Sequence, residues 1–372
     1  MAFETGNPTI RLFKCDEEMA GTLVEAFREH IAPPISTLST SPIEGWVGWR
    51  HLLDRDLDEE NCLFVPWLYV SRMRAERKIP KALLRAYCKM AEAEELKARN
   101  LEFLPAEVKS EIRDKTIAEL LPQMPPTLAG YGVVVDLATG TIYAETPSQK
   151  AAEAFADAFR ATTGHNLAIL SPEAVAVLRK GVNGNDLAAA VFTDDPDASA
   201  PSKCNLGHEF LTWLWFRWEK VGANFESTRG EAMEFSLDGP VAFFNEGKGA
   251  HNVVLRNGLP LQSREAGAAL LCGKKVCKIR FSVSNGEQTW NTTIDSDFTF
   301  SCLKLPKDPG EPRQSFHERM ALIETFVEAV FSLYDIFLDE RADARAWKKT
   351  EAKAQAWVRE RAEIADGDIT AH

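Results

Sequence analysis

The chain lacks any apolar run approaching the roughly 20 residues of a membrane span, which excludes a membrane-crossing helix. Its beginning, Met1-Ala-Phe-Glu-Thr5, lacks a basic region followed by an apolar block, so no secretory signal is expected. The seven cysteines (15, 62, 88, 204, 272, 277, 302) are odd in number and scattered, so a disulfide framework is not expected and a reducing cytoplasm fits better. Positive charge is in deficit: 43 Lys and Arg against 55 Asp and Glu leave a formal net charge of −12. Any binding of nucleic acid must therefore come from a local basic surface.

Motifs for chemistry are also scarce. His208-Glu209 opens like a zincin helix, but Thr212 stands where the second ligand would be. Cys272 and Cys277 have no second Cys/His pair nearby. Gly247-Lys-Gly249 and Gly273-Lys274-Lys275 lack the spacing of a phosphate-binding loop. The acids at Asp54–Glu60 and Asp194–Asp197 have the chemistry to hold Mg²⁺ for a nuclease, but charge runs of this kind usually mark solvated loops. No nucleophile elbow is present, and the residues make no positive case for an enzyme, a cofactor or a bound metal.

What is present is a chain of 372 residues, 45% hydrophobic and 26% charged, long enough for two or three domains. Strands are predicted near Ile10–Lys14, Gly45–Trp49 and Cys62–Ser71. Asp16 is placed to cap a helix with Glu17 and Glu18 in its first turn. A helical hairpin follows. In its first arm Leu83, Leu84, Tyr87 and Met90 share one face. The second arm opens at Pro105 and carries Val108, Ile112, Ile117, Leu120 and Leu121. Tyr131–Asp136 and Thr141–Glu145 read as a β-hairpin around Thr139-Gly140. Thr146, as cap, then starts a helix that ends near Gly164, and Leu167–Leu170 reads as a strand.

Val182–Lys203 reads as a loop, and Asn205 caps a helix running to Lys220. Strands are predicted at Met233–Leu237, Val241–Asn245, Asn252–Arg256, Lys274–Ser284, Glu287–Ile294 and Phe298–Lys304, with a helix over Ser263–Leu271. Lys307–Pro312 reads as a linker. One long helix from Arg313 is apolar to Leu338, then charged and Ala-rich with Trp347 and Trp357 as anchors. The fold class is α+β: two β-sheet-containing halves, an inserted projecting helical hairpin and a long C-terminal helix. The expected division is 1–75 with 129–182, a hairpin tip at 76–128, a second β-rich domain at 183–310 including helix 205–220, and the C-terminal helix and tail at 311–372.

Two elements gather cations. Between Arg72 and Lys89 there are seven Lys or Arg and one acid, Glu76, a local charge of 7 − 1 = +6. Lys78, Lys81, Arg85 and Lys89 are predicted on the helix face opposite Leu83 and Tyr87, with Arg77 just before them. On the strand from Lys274, alternation directs Cys277, Ile279, Phe281 and Val283 one way and Lys274, Lys278 and Arg280 the other. Cations on alternate residues lie about 7 Å apart, an interval that tracks a phosphate backbone without reading bases. Arg256, at a strand end, adds a donor. Amphipathic elements also carry Lys and Arg on faces that do nothing but meet water.

The order Gly45-Trp46-Val47, Arg77-Lys-Ile-Pro80, two helices to Leu121-Pro122 and a strand ending at Asp136 resembles the recombination-associated RdgC family. Thr139-Gly-Thr-Ile142, the helix Ser148–Arg160, Glu209-Phe-Leu-Thr-Trp213, Val253-Val-Leu-Arg256 and Gly273-Lys-Lys-Val-Cys-Lys-Ile279 are similar to further family segments. The motifs are short; the resemblance lies in their order over most of residues 8–338. It implies a cytoplasmic, nucleoid-associated protein that binds double-stranded DNA without sequence preference. It further implies a ring-shaped homodimer that encircles the duplex and restrains RecA-promoted strand exchange, with RecA as a further partner and no membrane. Arg77, Lys78, Lys81, Arg85, Arg256, Lys274, Lys278 and Arg280 would be the DNA contacts. Three features depart from the family pattern: Gln123–Leu128 at the tip, a longer stretch over 182–231, and the charged helix past Asp339. Two other classes stay open, a metal-dependent exonuclease (a label some family members carry) and a protein-interaction module using the charged C-terminal helix.

Overall fold

The computed structural model describes residues 2–15, 19, 23–198, 203–245, 252–307 and 314–367, with backbone alone for 364–367. The expected cap at Asp16 with Glu17 and Glu18, the Gly247–Gly249 segment and most of the 307–312 linker lie outside the described residues. Among the described residues the elements, in chain order, are β1 (Arg11–Lys14), α1 (Leu23–Glu29), β2 (Ile43–Gly48), α2 (Glu59–Cys62), β3 (Leu63–Phe64), β4 (Trp67–Arg77), α3 (Lys81–Arg99), α4 (Ala106–Leu120), β5 (Pro126–Asp136) and β6 (Thr141–Ala144). There follow α5 (Gln149–Thr163), β7 (Ala168–Ile169), α6 (Pro172–Lys180), α7 (Leu206–Lys220), β8 (Asn224–Glu226), β9 (Ala232–Phe244), β10 (Asn252–Leu255), α8 (Arg264–Leu271), β11 (Lys275–Ser284), β12 (Thr289–Asp295), β13 (Phe300–Lys304), α9 (Phe316–Ala342) and α10 (Ala344–Gly367). The class is α+β, and the strand pairings described below are all antiparallel. No described helix is long and apolar enough to cross a membrane.

The chain forms two compact units, Met1 with Glu18–Thr139, and Ala2–Glu17 with Gly140–His372. In the first unit β4 is central, pairing with β2, β3 and β5. Its first five residues are buried, and further on only Met73 and Ala75 stay buried, so it leaves the core as a one-sided strand. Phe27 of α1 packs on Trp46 of β2 at 4.4 Å, and Ala32, Leu38, Val47, Met73 and Ala75 form an adjoining cluster. The β4–β5 ladder runs from Trp67↔Asp136 to Arg77↔Pro126, so β5 starts five residues before the expected Tyr131. The departure segment Gln123–Leu128 thereby runs from the last residue of a 3-10 turn (Leu121–Gln123) into a paired strand. The α3–α4 hairpin joins the two strand ends. Asn100, in the left-handed conformation, ends α3, and its N–H closes on Leu96 and Lys97.

In the second unit β1 pairs with β6 and with β7, and Phe13 packs on Phe155 of α5 at 4.8 Å. Ser148, not the expected Thr146, caps α5: its hydroxyl accepts from the Ala151 N–H, while Thr146 is buried. α6, unforeseen from the sequence, starts on Ser171-Pro172 and stops at Gly181 in the left-handed conformation. The larger sheet has the order β10-β9-β11-β12-β13, with β8 also on β9. β9 is one long strand where two are predicted, because its pairing with β11 continues through a register shift near Asp238.

One face of this sheet is covered by helices. Phe281 and Phe300 meet Phe326 of α9, and Phe243 meets Trp215 of α7. Between the two helices Phe210, Trp213, Phe298, Tyr334 and Phe337 form one aromatic cluster. α7 sits this close because Gly207 has no side chain; a Cβ there would overlap the Ser296 carbonyl.

The expected single C-terminal helix is two. Asp343 takes an extended conformation, and its carboxylate accepts from the N–H groups of Arg345 and Ala346, so it caps a new helix. α10 then packs against α7 and α8. Trp347, Ala354, Trp357 and Val358 are buried, and the Trp357 indole donates to Glu219 at 2.7 Å.

Candidate nucleic-acid interface

In the first unit Lys81, Arg85 and Lys89 fall at i, i+4 and i+8 of α3, a row with about 6 Å per step. All three are exposed, and their side chains make no hydrogen bond or ion pair among the described residues. α3 itself buries no residue, so this face is not shaped by a core behind it.

The cations upstream of α3 are placed differently. Arg77 closes β4, and its guanidinium donates to the Met124 carbonyl, tying the two strand ends together. Lys78 precedes the helix rather than extending its row, and it pairs with Glu76. Arg74 bridges Glu44 at 2.5 Å and Glu76 at 3.0 Å. Arg72 reaches Glu44 at 3.3 Å and stacks over the Trp46 ring. The bonds from Lys78 and Arg74 hold the Glu76 carboxyl below its ordinary range. Glu44 is 30 residues from Arg74 in sequence but directly opposite it in the β2–β4 register. Of the seven cations counted between Arg72 and Lys89, Arg72, Arg74 and Lys78 are paired with acids, Arg77 donates to a backbone carbonyl, and the three on α3 have no side-chain partner among the described residues.

In the second unit the uncovered sheet face is the relevant surface. Lys278 and Arg280 alternate with buried Ile279, Phe281 and Val283, as alternation predicts. Lys274 does not join them. It is half-buried in the turn before β11, and a bulge at Cys277 resets the alternation, with Val276 opposite Phe243 and Lys278 opposite the next residue, Ala242. Lys275 is drawn under α7 to Glu209 at 3.4 Å.

Cross-strand partners share a face. Lys278 lies opposite Asp295, and Arg280 lies opposite Asp238, with 3.9 Å between their charged groups. The open face adds Ser236, Ser282, Asn291 and Thr293, groups able to donate to phosphate oxygens. Lys304, which the sequence reading missed, is exposed opposite Asn291. Arg256 is exposed where the edge strand β10 ends, just before Asn257 and Gly258 turn the chain at positive φ. Acids are interleaved with these cations, so this face is mixed in charge where the α3 row is not.

The candidate metal ligands have other work. Asp54 is buried and takes Arg50 on both oxygens, at 2.8 and 2.7 Å. Burial raises its pKa, but the Arg50 bonds prevail and hold it below the usual range. Asp58 caps α2. Asp194 pairs with Arg359 at 3.4 Å. Glu209 is fully buried, accepting from Ala190 N–H at 2.8 Å, from Arg341 at 2.9 Å and from Lys275. His208 stacks on Phe244 with ring centroids 5.5 Å apart. Among the described residues no group of three or more His, Cys, Asp or Glu is arranged to hold a metal ion. No protein-family model and no curated protein matches the chain.

Proposed function

We propose that this protein binds double-stranded DNA through its phosphates, without base readout, and does so as a homodimer in recombination or replication. The observation that carries the reading is the row Lys81, Arg85 and Lys89: three uncompensated cations at one-turn spacing in a chain of net charge −12. The mixed face around Lys278, Arg280, Arg256 and Lys304 adds hydroxyl and amide donors of the kind that hold a backbone. Self-association is supported by the same hairpin. Phe103 is 77% exposed and Met90 59%, apolar surface that a lone chain leaves in water. The RdgC resemblance adds the setting: a nucleoid-associated protein that covers the duplex and so restrains RecA-promoted strand exchange.

The test is a salt titration of duplex binding, read by fluorescence anisotropy on two duplexes of unrelated sequence. Each neutralised phosphate contributes about 0.9 to the log–log slope. The triple variant Lys81→Ala, Arg85→Ala, Lys89→Ala is expected to lower the slope by about 2.7, equally on both sequences. A binding constant that is flat with salt, or that follows sequence, overturns the reading.

A further inference from the structure

α10 presents a second charged surface, distinct from the α3 row and the open sheet face. Its inward side is fixed by Trp347, Ala354, Trp357 and Val358, all buried. At 100° per residue, Arg345, Lys348, Lys349 and Lys353 fall on the opposite side, and all four are exposed. From Arg345 to Lys353 the stripe runs about 12 Å along the axis. Ala352 and Ala356 lie among and beyond these cations, so the surface between them is low.

The surrounding charges set this stripe apart from an ordinary solvated face. The acids next to it have partners. Asp343 caps the helix, Glu351 accepts from the Val191 N–H at 2.8 Å, and Glu360 holds Lys220 at 2.5 Å. Asp194 is held by Arg359, six residues past the end of the stripe. The side chains of Arg345, Lys348, Lys349 and Lys353 make no ion pair or hydrogen bond among the described residues. Four positive charges therefore stand uncompensated on a rigid helix of an acidic protein, where a polyanion is the complementary partner.

We infer that the outward face of α10 is a second phosphate-binding surface for duplex DNA, separate from the α3 row. The inference rests on the DNA-binding reading and extends it to a segment outside the family resemblance. Lysine and arginine on one side of a helix, with alanine between, can follow one strand's phosphates and carry no base specificity.

The experiment compares four full-length proteins in the same salt titration of duplex binding: wild type, the α3 triple variant, Lys348→Ala/Lys349→Ala/Lys353→Ala, and Lys348→Arg/Lys349→Arg/Lys353→Arg. Alanine favours helix, so the third should melt like wild type, which circular dichroism checks. The expected result is a slope lowered by about 2.7 in the alanine variant and kept in the arginine variant. Between roughly 50 and 200 mM salt, wild type would then lose about 40-fold more affinity than the alanine variant. An unchanged slope in the α10 alanine variant, beside a lowered slope in the α3 variant, overturns this inference and leaves the DNA reading standing. A salt-insensitive wild type overturns both. Loss of retention on phosphatidylserine vesicles with DNA binding unchanged would assign the stripe to membranes and also overturn it.

Discussion

At the scale of single residues, Glu209 holds together charges from three places in the second unit. Lys275 from β11 and Arg341 from α9 both reach it, with Cys204 3.6 Å away. Burial lowers the Lys275 pKa against the pull of Glu209, and raises the Cys204 thiol to about 12. Removing the carboxylate strands two buried cations. Glu209→Ala is expected to cost about 3–5 kcal/mol in urea unfolding. Glu209→Gln restores an acceptor for the Ala190 N–H but no charge, and should recover only part of that.

Asp54 carries the acid dependence at its site. Its folded pKa lies below the unfolded value, so its contribution is present above the unfolded pKa of about 3.9 and is lost as pH falls through the folded one. Asp54→Asn is expected to lower stability at neutral pH and to flatten the loss of stability on acidification, read as urea midpoints between about pH 6 and pH 2. Neither role was legible in sequence. His208-Glu209 and the acids near Asp54 are visible only as chemistry-bearing letters, and their partners Arg341 and Arg50 become partners through folding.

At the scale of elements, the hairpin and the tail invert what their sequences suggest. α3 was legible because its signals are local, a 3.6 period and a Pro before it, whereas its stop at Asn100 is seen only in the structure. It nevertheless buries nothing of its own, and the last ladder pair below it is Arg77↔Pro126. Replacing residues 78–125 with Asn-Gly is therefore expected to leave the thermal midpoint close to wild type while weakening duplex binding. A large loss of stability would show that the hairpin supports the fold. The tail reads in sequence as a charged arm, but its two tryptophans are interior. Trp357 is 1% exposed and packs on Trp215 at 5.5 Å and Phe216 at 5.8 Å. Trp357→Ala is expected to cost about 3–5 kcal/mol, where a free arm would tolerate it. The break before α10 was hidden because helical periodicity continues across Asp343. The bulge at Cys277 was hidden because alternation assumes an unbroken register.

At the scale of the whole molecule, charge is where sequence and structure part most. Counting letters between Arg72 and Lys89 gives +6, but Glu44 lies outside that window and is opposite Arg74 in the sheet. The strand pattern itself was legible, since most predicted strands lie within a few residues of those observed. The compensation was not, because it depends on which strands become neighbours. Salt should then act in opposite directions on the two associations proposed. DNA binding weakens with salt as released counterions lose their entropic advantage. Two copies of a chain with net charge −12 repel each other, and salt screens that repulsion. A dimer held by apolar hairpin surface is therefore expected to tighten, or hold constant, between about 50 and 500 mM salt, measured by sedimentation velocity without DNA. Phe103→Asp should shift it to monomer at both concentrations, because it places a charge on the most exposed large apolar side chain of the hairpin. A dimer that dissociates with salt and ignores Phe103→Asp would instead be held by ion pairs elsewhere, and the hairpin would have no part in it.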